Sequence, residues 1–526
     1  MNKIFFLLFL TLLSPIAYAQ FGNTGVQMHG QAGEYKVLVD VQPPKVTPGK
    51  GKIYVQVETL GIVRVEARTL NFPIPNSDST DYKKLRDVKK QAGQFQGEVQ
   101  FTTSGSTAIQ LKLVGSKGVG EITIPVKVNR GQENSSIILN IGLLLLGILL
   151  LTLVTTPNFS FCEKKRYQGI ALGVLGLAFM LYGTSFMWKN HKSEDNYPLR
   201  GNSSVIIGDS LSVLQIKLDT THGVSQKKGK SIHMLIPDHG KLMHAFLLRT
   251  PTLDAFAHLH PERKDSTTFE ANLPQLPPGK YLVYADIVFQ NGISETITDT
   301  LIIGNLGSKR EANSEYTEDT FVITDPINAP GNASADADII ICGKPGTKTV
   351  FKDGSYAVWA GRPDQALEAG RAYNLDFEIY NPDGSACLPE PYLGIMGHLV
   401  VVKSDGSVYN HLHPSGTFPA VTERLLKNGM AHTKLTGTAF RDSVDQHLAL
   451  LKGKSVLERE EFLMTEMGMY DLGENGMVGM DHGSLISFPF TFPKEGRYRI
   501  FLQVKRNEKV MTGAFDVKVK KGALQL

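Results

Sequence analysis

Apolar residues recur along this 526-residue chain with different rhythms. The first is strict alternation. Tyr35, Val37, Val39 and Val41 are separated by Lys36, Leu38 and Asp40, and a period of two puts every second side chain on one face of a strand. Similar runs at 52–58, 63–70, 94–101, 107–114 and 121–128, parted by Gly, Pro and Ser turns, predict a small immunoglobulin-like β-sandwich over residues 20–132. The second rhythm is unbroken. Residues 136–155 and 169–188 are almost wholly apolar, and each is long enough as a helix to cross a hydrocarbon core of roughly 30 Å. Alternation then returns at 200–304 and at 339–520. The first of these stretches predicts strands near 212–219, 231–236, 244–249, 255–260, 280–289 and 294–303. Between the two, residues 305–338 are polar and read as a linker. Residues 418–483 interrupt the last domain, and Val444, Leu448, Leu451 and Leu457 give their middle a helical spacing.

The ends of the apolar segments set the predicted topology. Residues 1–19 have the form of a secretory signal, with Lys3 ahead of an apolar run and Ala17-Tyr18-Ala19 as a small-x-small cleavage site. After cleavage the chain starts with a polar arm that carries Met28-His29 and reads as a mobile terminus. The loop 156–168 contains Glu163-Lys164-Lys165-Arg166, and a short basic loop stays in the cytoplasm. Both flanking regions are thereby expected outside the cytoplasmic membrane of a bacterium. Neither span carries an ionisable side chain, so the hairpin reads as an anchor rather than a pump. Charge is nearly balanced, 55 Lys and Arg against 51 Asp and Glu, which gives no sign of a nucleic-acid partner.

The chemistry is concentrated in a repeat. His258-Leu259-His260-Pro261 and His411-Leu412-His413-Pro414 are two copies of one motif. Each follows a lone histidine, His244 after Met243 by 14 residues and His398 close behind Met396 by 13. Those intervals fit two antiparallel strands joined by a short turn, and residues i and i+2 of a strand share a face. Three imidazoles per copy could therefore meet on one ion, since imidazole is the commonest metal-ligating side chain. The other reading is a strand pair whose histidines only satisfy hydrogen bonds. Separate domains imply separate sites, one formed by His244, His258 and His260 and the other by His398, His411 and His413. Met243 and Met396 stand as auxiliary soft ligands. A second methionine feature lies in the insertion, where Met464, Met467, Met469, Met477 and Met480 fall among Gly, Asp and Glu just before His482. Thioethers in such a setting suit Cu(I), and equally suit a lid packing on the domain. Cys342 and Cys387 both lie outside the membrane in one domain, where a disulfide is expected, the alternative being Cys387 as a metal ligand 11 residues before His398.

The Met-His strand, the Phe256/Tyr409-x-His-Leu-His-Pro strand and the closing Gly-basic-Tyr strand at Tyr281 and Tyr498 resemble the bacterial exported modules of the YtkA-like and FixH-like kind. More distantly they resemble copper-handling CopC-type proteins. The resemblance covers the second and third domains, and weakly the first, and implies an extracytoplasmic β-sandwich associated with copper. Neither domain begins with the N-terminal histidine of CopC-type sites, so it does not carry the identity of the metal. The expected fold class is all-β soluble domains, immunoglobulin/cupredoxin-like β-sandwiches, plus a two-helix transmembrane hairpin. The expected function is a non-catalytic, membrane-anchored protein that binds and passes copper, with zinc as the alternative metal and a copper enzyme or metal transporter as its partner. The rival is a surface scaffold that binds another protein.

Overall fold

In this computed structural model the described residues are 25–128, 174–178, 199–327, 339–427, 435–466 and 484–522, apart from gaps inside these ranges, the longest at 220–230 and 307–317. Alternating stretches fold as antiparallel strands, and in each of three domains two sheets face each other across a shared apolar core. In the first domain Val37, Val39 and Val41 of one sheet meet Val65, Ala67, Leu111 and Leu113 of the other. The expected mobile arm is instead an edge strand, Val26–Ala32. Met28 is buried in the first core, and His29 pairs through Nε2 with Asn374 Oδ1 at 3.0 Å. The His29 amide also donates to the Ser415 carbonyl at 2.9 Å, and Phe418 enters the same core. A strand edge with unpaired amides has found a partner there, and the first domain is docked on the third.

Residues 1–19, the span 136–155 and the loop 156–168 lie outside the described residues. Of the second span only 174–178 is described, as helix with Val174, Leu175 and Leu177 exposed. Among the described residues no helix is long and apolar enough to cross a membrane.

Eight strands frame the histidines. In the second domain they are β1 (His244–Thr250), β2 (Ala255–Leu259), β3 (Gly279–Phe289) and β4 (Thr320–Thr324), in the sheet order β3-β1-β2-β4. In the third they are β5 (His398–Lys403), β6 (Tyr409–Leu412), β7 (Gly496–Arg506) and β8 (Lys509–Lys520), in the order β8-β7-β5-β6. β4 comes from the stretch expected to be linker, and its pairing with β2 gives that stretch a structural place.

β1 and β5 are buried on both faces. Ala245 and Leu247 point into the core of the second domain with Leu259, while Leu399 and Val401 point into that of the third with Leu412. The opposite faces meet each other. Phe246, Leu248, Phe256 and Tyr284 pack on Val400, Val402, Tyr409 and Phe501. Phe256 stacks on Phe501 at 4.2 Å and Tyr284 on Tyr409 at 4.1 Å. The two repeats are thus pressed together through their histidine-bearing faces.

The insertion forms α1 (Ala420–Lys427), α2 (Gly437–Lys452) and α3 (Val456–Glu466). Phe440 and Val444 of α2 join the core of the second domain, not the third. Leu451 and Leu463 pack on Tyr392 and Leu393. Leu457, the last residue of the expected helical spacing, is exposed. The helices therefore cover the seam between the repeats.

Candidate metal centre

Because each repeat turns its histidine face toward the other, the expected pair of separate sites becomes one cluster. His244 shares a strand face with Phe246, and His398 with Val400, at the same end of the seam. His258 and His260 have ring centroids 4.5 Å apart, and His411 and His413 are 4.7 Å apart. Across the seam His258 lies 5.8 Å from His398. Two ligand triads emerge, His244 with His258 and His260, and His239 with His398 and His413. In each, one ring nitrogen per histidine lies within 4.8 Å of the others. The first triad has the composition expected from sequence. The second does not: His239, from the other repeat, takes the place expected for His411. His239 went unnoticed because it sits in a turn, at φ 53, where no strand period applies. The adjacent Gly240 has φ +73 and lies against Leu463 of α3, so this turn is closed by the helical cover. A side chain at that position would meet Leu463 at 3.2 Å and would adopt a left-handed backbone that glycine alone takes freely.

Tautomers follow from the oxygen partners, since a carbonyl or carboxylate can only accept. His260 donates through Nδ1 to Asp319 Oδ1 at 2.7 Å. His258 donates through Nδ1 to Gln503 Oε1 at 2.9 Å, and the Tyr392 hydroxyl, which donates to the Glu318 carbonyl, faces the same nitrogen as an acceptor at 3.4 Å. His244 donates through Nε2 to the Asp238 carbonyl at 3.1 Å. In the second triad His239 donates through Nδ1 to the Leu393 carbonyl and His413 through Nδ1 to the Phe418 carbonyl, both at 3.0 Å. A neutral imidazole has one N–H, so the other nitrogen of each ring is a bare lone pair, and each one faces its triad. His244 Nδ1 and His258 Nε2 confront each other at 3.2 Å, as do His239 Nε2 and His413 Nε2. His260 Nε2 and both nitrogens of His398 are buried without a partner.

Two bare lone pairs at such distances repel unless a cation lies between them. A proton is a poor candidate. Burial pushes the imidazolium forms of His239, His258, His260 and His398 well below their ordinary range and holds His244 down to about 3, with neighbouring histidines adding to the effect. A metal ion about 2.0–2.1 Å from each of two tetrahedral nitrogen ligands places those nitrogens roughly 3.3 Å apart. An oxygen acceptor on the far nitrogen is also the usual outer support of a metal-bound histidine. The donor set fits an ion.

His411 stands between the triads. Its Nδ1 lies 3.5 Å from Asp286 Oδ2, and its Nε2 is buried and unpartnered. Asp286 accepts from Tyr409 at 2.8 Å and from Thr296 at 2.6 Å, and burial raises its carboxyl. Asp286 pairs with His244 in register as Gln503 does with His398. The two repeats thus exchange equivalent supports across the seam, Gln503 to His258 and Asp286 toward His411. Burial likewise raises Asp319 to about 7. A cleft of about 100 Å³ reaches the cluster and is lined by Asp286, His244, His411 and His413 among others.

The remaining expected residues fall elsewhere. Met243 is buried in the apolar core of the second domain. Met396 is buried just ahead of β5, and Met464 is half-buried on α3. Met467, Met469, Met477, Met480 and His482 lie outside the described residues. So does Cys342. Cys387 is a half-buried free thiol, and its Sγ contacts the Leu388 carbonyl at 3.8 Å.

Residues 207–302, 348–439 and 474–521 match a family described as a domain of unknown function (DUF8832). All seven histidines of the cluster fall inside these segments. No curated protein matches the chain. Among solved structures, the soluble domain of PmoD from Methylocystis is 16% identical, with 20% of this chain and 99% of that one covered at a TM-score of 0.15. A protein from Corynebacterium diphtheriae described as membrane anchored is 8% identical, with 96% and 98% covered at 0.13. An endo-fucoidan hydrolase of glycoside hydrolase family 107 is 9% identical, with 92% and 43% covered at 0.15. Scores this low carry neither fold nor function across to this chain.

Proposed function

We propose that this protein binds copper between its second and third domains and passes it to a copper enzyme or a metal transporter, without catalysing a reaction itself. The observation that carries this reading is the facing of bare imidazole nitrogens in two buried triads, with an oxygen acceptor on the far side of every ring but that of His398. Copper is favoured over zinc because divalent copper heads the affinity order for the same nitrogen ligands. The test is titration of the purified full-length protein with Cu(II) and Zn(II), with bound metal measured after dialysis. Two copper ions per chain are expected, and none when all seven histidines are replaced. Equal uptake by that variant sinks the metal reading and leaves the scaffold.

In this reading the two apolar segments anchor the chain and all three β-domains lie outside the cytoplasm, supported by the basic loop between the segments. Cys162 in that loop should then be shielded in intact cells from a membrane-impermeant maleimide and react once the cells are lysed. Labelling in intact cells overturns the orientation.

A further inference from the structure

The metal reading leaves one histidine unused. His411 belongs to neither triad, yet its ring centroid lies 5.4 Å from His244 and 5.8 Å from His258 of the first triad. It lies 5.1 Å from His398 and 4.7 Å from His413 of the second. No other histidine outside the triads touches members of both among the described residues. Its Nε2 is buried and unpartnered, and it lines the cleft that reaches the cluster.

We propose that His411 is a relay ligand that carries a copper ion between the two triads. The proposal rests on the metal reading above. An ion leaving three imidazoles inside a buried site would otherwise give up ligands before gaining new ones, in surroundings too dry to solvate it. His411 removes that barrier by ligand exchange. Its Nε2 lone pair binds the ion as one imidazole of the donor triad lets go, and the Nε2 bond breaks as an imidazole of the second triad takes over. No electron is transferred. In the tautomer with its N–H on Nδ1, 3.5 Å from Asp286 Oδ2, His411 engages the ion through an Nε2 that has no proton to release. Asp286 belongs to the opposite repeat and is itself held by Tyr409 and Thr296, so it acts as a positioning residue that keeps the ring between the triads.

The experiment uses the full-length protein and Cu(II) supplied as its glycine complex. Protein preloaded with one equivalent is mixed with a second by stopped flow, and filling of the remaining site is followed by absorbance. Wild type should fill both sites. His411→Ala and His411→Asn should still bind two ions at equilibrium, with the second filling slowed at least ten-fold. Millimolar imidazole added to either variant should restore the rate by substituting for the missing ring. If both variants bind fewer than two ions, His411 is a fixed ligand and the relay is overturned. Unchanged rates, or slowing that imidazole does not relieve, overturn it as well while leaving the metal reading intact. Failure of wild type to take up any Cu(II) defeats the metal reading itself.

Discussion

Replacing His239 with alanine should reduce bound copper from two ions per chain to one. His239 lies in the second domain, whereas its partners His398 and His413 lie in the third, so the second ion is shared across the seam. Losing an outer support of a metal ligand costs roughly 10–100-fold in affinity, and losing the ligand itself should cost more. His260→Ala should remove the other ion and leave this one, because the first triad is built within one repeat. Metal content after dialysis, with a competition titration, reads both outcomes. If each repeat bound its own ion through its own histidines, His239→Ala would keep two ions, and the cross-repeat site would have to be abandoned.

The metal-free protein should lose stability steeply as pH falls below the histidine range. Burial holds His239, His244, His258, His260, His398 and His411 below their ordinary values in the folded state. The unfolded chain takes up protons on these rings near pH 6.5 and the folded chain does not. Stability is therefore complete above about pH 6.5 and declines as pH drops below it. Each such ring contributes up to about 1.4 kcal/mol per pH unit. Asp319, raised to about 7, Asp40, raised to about 6, and Asp286, also raised, work in the opposite direction, but they are three groups against six. The net loss between pH 6.5 and 5 should reach several kcal/mol, a large part of the 5–15 kcal/mol that typically holds a domain folded. Urea midpoints measured across this range should fall, and bound copper should hold them up by mass action. A flat profile from pH 7 to 5 would show that the rings are not buried and neutral as described.

The six histidines singled out from the repeat all lie in the cluster because strand periodicity is a local property. His244, His258, His398 and His411 alternate with Ala245, Leu259, Leu399 and Leu412, which the domain cores need, so the facing of each ring followed from its neighbours. The same periodicity could have revealed more. Ala-Phe-Leu-Leu after His244 and Leu-Val-Val-Val after His398 are continuous apolar runs, and such runs mark strands buried on both faces. Read in that way, they call for a second apolar surface against each sheet.

What the amino-acid sequence determined by itself is the β-sandwich repeat, its helical insertion and the orientation of each His-x-His pair. Those features depend on residues a few positions apart. Only the tertiary structure decided that the repeats face each other, that His239 displaces His411 from the second triad, and that Gln503 and Asp319 hold the far nitrogens of His258 and His260. Each of those depends on a docking between surfaces distant along the chain, such as His258 and Gln503, 245 positions apart. Side chains in a turn or across a seam leave no period in the sequence, because packing brings them together rather than backbone geometry.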